Sequence, residues 1–138
     1  MTYLLDASSL MLLIKSTHED KKLAIVDESR VLDLTIFEIG NTLWKESELL
    51  KSLSSEEVDK VVKTVVRVLA ALESVQVNVE ELEEVLAIAR SERLTFYDSS
   101  YLYVAKKSGF ILVSNDGKLF RAAKKYIRTE TVESLLRA

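Results

Sequence analysis

The feature that most constrains this chain is the shortness of its apolar runs, each succeeded by a stretch of helical pattern. The longest, Leu10 to Ile14, has five residues. Tyr3-Leu4-Leu5, Val31-Leu32-Asp33-Leu34, Val75-Gln76-Val77 and Phe110-Ile111-Leu112-Val113 are strand-length, and each gives way to a segment with helical periodicity. Short buried strands alternating with helices build βαβ units, which need right-handed crossovers and a parallel sheet with helices on both faces. The expected fold class is therefore α/β in three layers. With no linker, repeat or low-complexity segment, residues 1–138 read as one domain.

Local signals refine the helices. Residues 7–15 and about 35–50 are expected to be helical, the latter burying Ile36, Ile39, Leu43 and Leu50, with Phe37 and Trp44 read as core. Gly40 falls inside that arc, where it would permit close helix approach. Ser54-Ser55-Glu56-Glu57 has the capping-box pattern and opens a helix whose apolar residues from Val58 to Leu72 cover half its circumference. Packing within the chain is the simpler account of so wide an arc, and a second subunit is the other. Asn78 can cap a helix carrying Leu82, Val85, Leu86 and Ala89. Thr95 opens a helix that Gly109 stops, and a basic helix over about 118–126 precedes a brief strand near Ile127 and a last helical turn.

Composition then limits the chemistry. The 138 residues include no cysteine and a single histidine, His18, in a polar stretch. That excludes disulfides, thiolate zinc sites, cysteine nucleophiles and multi-histidine metal sites. No run reaches the length of about 20 residues that spans a membrane, and Asp6 interrupts the N-terminal apolar stretch where a signal peptide would be uninterrupted. A cytoplasmic protein is expected. The charge is uneven: residues 1–105 carry 11 basic and 19 acidic side chains, residues 106–138 carry 8 and 3.

In open parallel sheets ligands bind beyond the carboxyl ends of the strands. Asp6 and Asp116 fall there, although each also suits an N-cap or a turn. Asp98 shares its helical stripe with Tyr101, Leu102 and Ala105, so it faces the apolar side, where a carboxylate is costly unless paired, hydrogen-bonded or metal-bound. By periodicity Glu38 is a solvated surface residue. If Asp6, Asp98 and Asp116 converge, with or without Glu38, their repulsion calls for a cation. An all-oxygen donor set favours Mg²⁺ or Mn²⁺, the ions of phosphodiester chemistry.

The segments Leu4-Leu5-Asp6-Ala7-Ser8-Ser9-Leu10, Phe37-Glu38-Ile39-Gly40-Asn41-Thr42-Leu43-Trp44, Tyr97-Asp98-Ser99-Ser100-Tyr101-Leu102 and Val113-Ser114-Asn115-Asp116-Gly117-Lys118-Leu119 resemble, in order and spacing, the acidic motifs of PIN-domain nucleases. The small form resembles the VapC toxins of prokaryotic toxin–antitoxin pairs. This resemblance implies a five-stranded parallel sheet in the order 3-2-1-4-5 and Mg²⁺- or Mn²⁺-dependent endoribonuclease activity. It implies Asp6, Glu38, Asp98 and Asp116 as the catalytic acids, with Asp6, Asp98 and Asp116 on the metal. Glu38 becomes a ligand or water-positioning group on the resemblance alone. Ser114 takes the place of a hydroxyl residue, and Ser8, Asn41 and Asn115 that of supporting donors. Ser99 departs from the family's usual alanine.

The same resemblance implies an RNA substrate, a cognate antitoxin and a homodimer. Lys118, Arg121 and Lys125, on one face of the basic helix, are candidate RNA contacts, with a solvated face as the alternative. Tyr101 and Tyr103 have the chemistry for base stacking, but core packing is the expectation for Tyr101. A rival reading is a catalytically inactive PIN-like module that binds RNA or protein. A receiver-like signalling domain is set aside, because it needs an acidic pair after the first strand and an aspartate after the third, where Asn78 stands.

Overall fold

The computed structural model describes residues 1–138. Five strands, β1 (Tyr3–Leu5), β2 (Ser29–Leu32), β3 (Glu73–Val75), β4 (Ile111–Val113) and β5 (Thr129–Glu130), form one parallel sheet in the order β3-β2-β1-β4-β5. Eight α-helices surround it: α1 (Ala7–Lys15), α2 (Glu19–Asp27), α3 (Thr35–Trp44), α4 (Ser55–Ala71), α5 (Leu82–Glu92), α6 (Phe96–Ser108), α7 (Gly117–Lys124) and α8 (Val132–Arg137). None is long and apolar enough to cross a membrane. Class and strand order are those expected from the sequence.

Alternation along the strands creates two cores. Tyr3, Leu5, Val31, Ile111 and Val113 point to one face and pack with α1, α2, α3, α4 and α8. Leu4, Leu32 and Leu112 point to the other and pack with α6 and α7. The central strands β1 and β4 are buried on both faces and read as continuous apolar runs, as parallel sheets favour.

The strands begin earlier than apolar runs predict. β2 starts at Ser29 and β3 at Glu73, because Arg30 pairs with Glu73 in register and their side chains form an ion pair of 2.7 Å. Polar residues that stabilise each other across a strand pair leave no hydrophobic signal.

The larger corrections concern α3 and α4. The α-helix ends at Trp44, and Lys45–Leu49 continue as a single π-type turn with no buried residue. Its buried stripe is Thr35, Ile39 and Leu43. Ile36 and Leu50 are exposed, and Phe37 (77%) and Trp44 (51%) lie outside the core in which they were expected. Nothing approaches within 4 Å of a Cβ placed on Gly40, so that glycine serves no close approach. Apolar residues occupy more of the α3 circumference than the single layer beneath it can cover. In α4 Val65 is buried while Val62 and Val66 remain exposed. Leu82 and Leu86 of α5 are likewise exposed, while Val85 and Ala89 are buried and Ile88 packs against the core.

The caps follow the sequence closely. Ser54 and Glu57 make both bonds of the capping box, at 3.2 and 3.0 Å. Thr95 caps α6, and Gly109 closes it at φ +70°. Because no atom lies within 4 Å of a Cβ there, Gly109→Ala is expected to cost only the left-handed backbone penalty, about 1–2 kcal/mol in chemical denaturation.

The start of α5 is tied to α6 by Glu81, which is buried (8% exposed) and accepts from the Asn78 amide at 2.9 Å, the Tyr103 hydroxyl at 2.6 Å and Lys107 Nζ at 2.5 Å. The Lys107 contact, then Tyr103 and the amide, hold its carboxyl down from an ordinary 4.5 to about 2. A value depressed by folding stabilises the protein above the unfolded value and loses that effect as pH falls through the folded one. Stability followed from pH 5 to 2 is expected to fall less steeply in Glu81→Gln than in wild type; equal slopes would show that Glu81 is not a source of acid sensitivity.

Candidate active site

All four predicted acids stand at the carboxyl-terminal edge of the sheet, each in or before the first turn of a helix. Asp6 follows β1 directly and caps α1, accepting from the Ser9 amide at 2.9 Å, while its own amide bonds the Val113 carbonyl of β4. Asp116 follows β4 and caps α7 through the Leu119 amide, also at 2.9 Å. Glu38 lies in the first turn of α3 and Asp98 in the first turn of α6. Helix N-termini carry partial positive charge, which makes acidic residues tolerable here. The bland reading of Asp6 and Asp116 as caps is thus correct, and it also explains their convergence: the caps of helices that leave neighbouring strands meet at one edge.

Electrostatics shows that the acids sense one another. Burial raises the Asp6 carboxyl above its ordinary range; Ser114 and Ser9 oppose the rise, and the charge of Asp116 adds to it. Burial also raises Glu38, with a contribution from Asp98 and Asp6 against the hydrogen bond from Tyr101. Asp98 is raised by burial and by Asp116 and Asp6, and Lys118 pulls it part of the way back. Glu38 is therefore no solvated surface residue. Periodicity alone misplaced it, since its side of α3 borders the cleft. Asp98 is half-buried toward the other acids rather than in the apolar core, while Tyr101 and Leu102 beyond it are fully covered.

The supporting positions divide. Ser114 is completely buried, accepts from the Asp116 amide at 3.2 Å and lies beside Asp6. Ser8 is exposed; its neighbour Ser9 is the residue that holds Asp6. Asn41 is exposed on α3. Asn115 is turned to α8, donating to Glu133 at 2.7 Å and accepting from the Val132 amide at 3.1 Å. Among the basic residues, Lys118 is exposed near Asp98, and Arg121 is exposed with its guanidinium folded over Gly117. Lys125 is committed elsewhere, to an ion pair with Glu92. His18 is exposed.

Periodicity did not reveal Tyr101 as a partner of the acids. Its hydroxyl lies 2.7 Å from Thr35 Oγ1 and donates to Glu38 Oε1 at 2.7 Å. The visible signal was spacing: Tyr101 stands three residues after Asp98, on the same helical face.

As the side chains stand, no three His, Asp or Glu residues close into a cage around an ion. The donor set nevertheless suits a hard cation. It offers only oxygen, and burial and mutual repulsion raise three of its carboxyls.

A family model described as PIN domain matches residues 3–125. The chain belongs to the PIN-domain family. Two curated relatives, both from Pyrobaculum aerophilum, carry VapC names. "Exonuclease VapC9" is 39% identical over 133 residues, 94% of this chain and 92% of the relative. "Ribonuclease VapC3" is 28% identical over 123 residues, 86% of this chain and 92% of the relative. The crystal structure of PAE2754 from the same organism covers 99% of this chain and 88% of its own, with TM-score 0.82 and 37% identity. The chain is thus a VapC-type PIN nuclease, and its strand order is that of the fold.

This PIN domain carries a local flaw beside Asp98. Ser99 Oγ is fully buried with no partner, directly after Asp98. An unpaired buried hydroxyl costs about 1–3 kcal/mol. Ser99→Ala is expected to raise the thermal midpoint and leave nuclease activity intact; a lower midpoint would show that the hydroxyl is satisfied in solution.

Proposed function

We propose that the chain is a Mg²⁺- or Mn²⁺-dependent endoribonuclease and the toxin of a toxin–antitoxin pair, with residues 1–138 acting as one domain in the cytoplasm. The observation that carries this reading is the meeting of Asp6, Glu38, Asp98 and Asp116 at the end of the sheet, each raising or raised by another. A PIN-like binding module without catalysis would have no use for four mutually repelling acids, so the inactive alternative ranks behind.

A bound divalent ion neutralises the phosphate and favours ionisation of the attacking water. Asp6, Asp98 and Asp116 would hold that ion. Glu38 would add its negative charge to the site and orient the water for in-line attack on phosphorus, the water's proton passing to solvent. The bond to the 3′-oxygen breaks, leaving a 5′-phosphate and a 3′-hydroxyl, the latter taking its proton from solvent. Ser114 keeps Asp6 and Asp116 in place. Lys118 and Arg121 hold the RNA backbone, a role that Lys125, already paired, does not share.

The dimer and the antitoxin remain parts of this proposal. Exposed Ile36, Phe37 and Trp44 on α3 and Val62 and Val66 on α4 give the chain apolar surface that no element of its own covers. The mode of cleavage needs its own test, since the relative with 39% identity is named an exonuclease. Circular single-stranded RNA offers no ends, so its cleavage supports the endonuclease reading and its survival under conditions that degrade linear RNA overturns it.

Asp6→Asn is expected to abolish Mn²⁺-dependent RNA cleavage without unfolding the protein, and excess chelator to do the same in wild type. Full activity in either case contradicts the mechanism. Rising salt is expected to weaken RNA binding less steeply in Lys118→Ala/Arg121→Ala, by about 0.7 in the log–log slope for each phosphate contact removed. Lys125→Ala is expected to leave the slope unchanged.

A further inference from the structure

We propose that Tyr101 is a positioning residue for the hydrolysis: fixed by Thr35, its hydroxyl holds Glu38 in place against Asp98 across the two layers of the fold. The inference rests on the metal-nuclease reading and deepens it.

Three observations lead to it. Tyr101 and Thr35 are buried to 1% and 0% exposure, yet their hydroxyls are paired with each other and with Glu38 at 2.7 Å each. With Glu38 ionised, the carboxylate offers no proton, so Tyr101 must donate to it. Thr35 then donates to the Tyr101 oxygen, and every hydroxyl proton is spent. A tyrosine kept only for packing would need no such arrangement, and phenylalanine would fill the same space.

The second observation is where the chain of bonds runs. Thr35 and Glu38 lie one turn apart on α3, which packs on the core beneath β1 together with α1; Asp98 and Tyr101 lie one turn apart on α6, in the opposite layer. The Tyr101–Glu38 bond therefore spans the edge of the sheet and ties together the two helices whose acids repel. Only Glu38 Oε1 takes this bond, and Oε2 is left without one from Tyr101.

The third observation is a missing cap. Asp6, Thr95 and Asp116 cap α1, α6 and α7 with their side chains, whereas α3 begins at Leu34 with no side-chain cap. An uncapped first turn is prone to fray, and Glu38 sits in that turn. The bond from Tyr101 anchors from outside what the other acid-bearing helices anchor from within. A group that orients a metal-site carboxylate in this way commonly affects metal affinity by about 10–100-fold when removed.

The test is calorimetric titration of Mn²⁺ into the RNA-free protein, for wild type, Tyr101→Phe and Thr35→Val, and for each of these changes combined with Glu38→Ala. Folding is checked by thermal unfolding. Tyr101→Phe is expected to weaken Mn²⁺ binding by about 10-fold and Thr35→Val by less. In the Glu38→Ala background neither change is expected to add a further loss, because the residue through which they act is gone. In RNA cleavage at saturating Mn²⁺, Tyr101→Phe is expected to lower kcat and leave KM unchanged. Wild-type Mn²⁺ affinity in folded Tyr101→Phe overturns the inference alone, and so does an equal loss with and without Glu38. Should Tyr101→Phe fail to fold, wild-type affinity in Thr35→Val overturns it. A wild-type protein that neither binds Mn²⁺ nor cleaves RNA overturns the nuclease reading as well.

Discussion

Repulsion among Asp6, Glu38, Asp98 and Asp116 is the interaction to which the rest of the structure is fitted. The central strands of this parallel sheet are buried on both faces, and the acids are gathered at the carboxyl end of the sheet. Folding brings them together against both desolvation and like charge. The compensations are small and specific: a helix N-terminus at each of the four acids, the Ser9 and Leu119 amides, Ser114, and the Tyr101 hydroxyl on Glu38. None supplies a full positive charge. Lys118 comes nearest, and it only partly offsets the rise at Asp98. In the proposed chemistry a divalent cation would supply that missing charge.

Much of this was legible in the sequence because its signals are local. Ser54 with Glu57, Thr95 and Gly109 each specify a helix end through their own bonds or backbone preference, and the structure places all of them as read. The strands were legible as short apolar runs because both faces are buried. Asp6 and Asp116 were found by their position after such runs. The features that escaped depended on neighbours. Ser29 and Glu73 belong to strands only because Arg30 and Glu73 meet across a register that apolar periodicity does not encode. Phe37 and Trp44 were misplaced because a wide apolar arc does not say which part of it finds a covering layer.

Glu38 shows the limit most clearly. On its own helix it looks solvated, and its role comes from α6, where Tyr101 and Asp98 face it from a segment sixty residues further along. The family resemblance supplied the residue, and the structure supplied the reason. In the same way Asn115 resembled a supporting donor by position, yet its side chain is spent on α8, and Lys125 resembled a phosphate contact, yet Glu92 holds it. Sequence position nominates such residues; their free hydrogen-bonding capacity decides among them.

The central claim is that these four carboxyls constitute a divalent-metal site, and diffraction from crystals grown with Mn²⁺ tests it most directly through the ion's anomalous signal. The account predicts a peak at the carboxyl ends of β1 and β4, with oxygens of Asp6, Asp98 and Asp116 at about 2.1 Å, as hard cations of this size require. A peak elsewhere, or none with the four carboxyls left as they are, would contradict it.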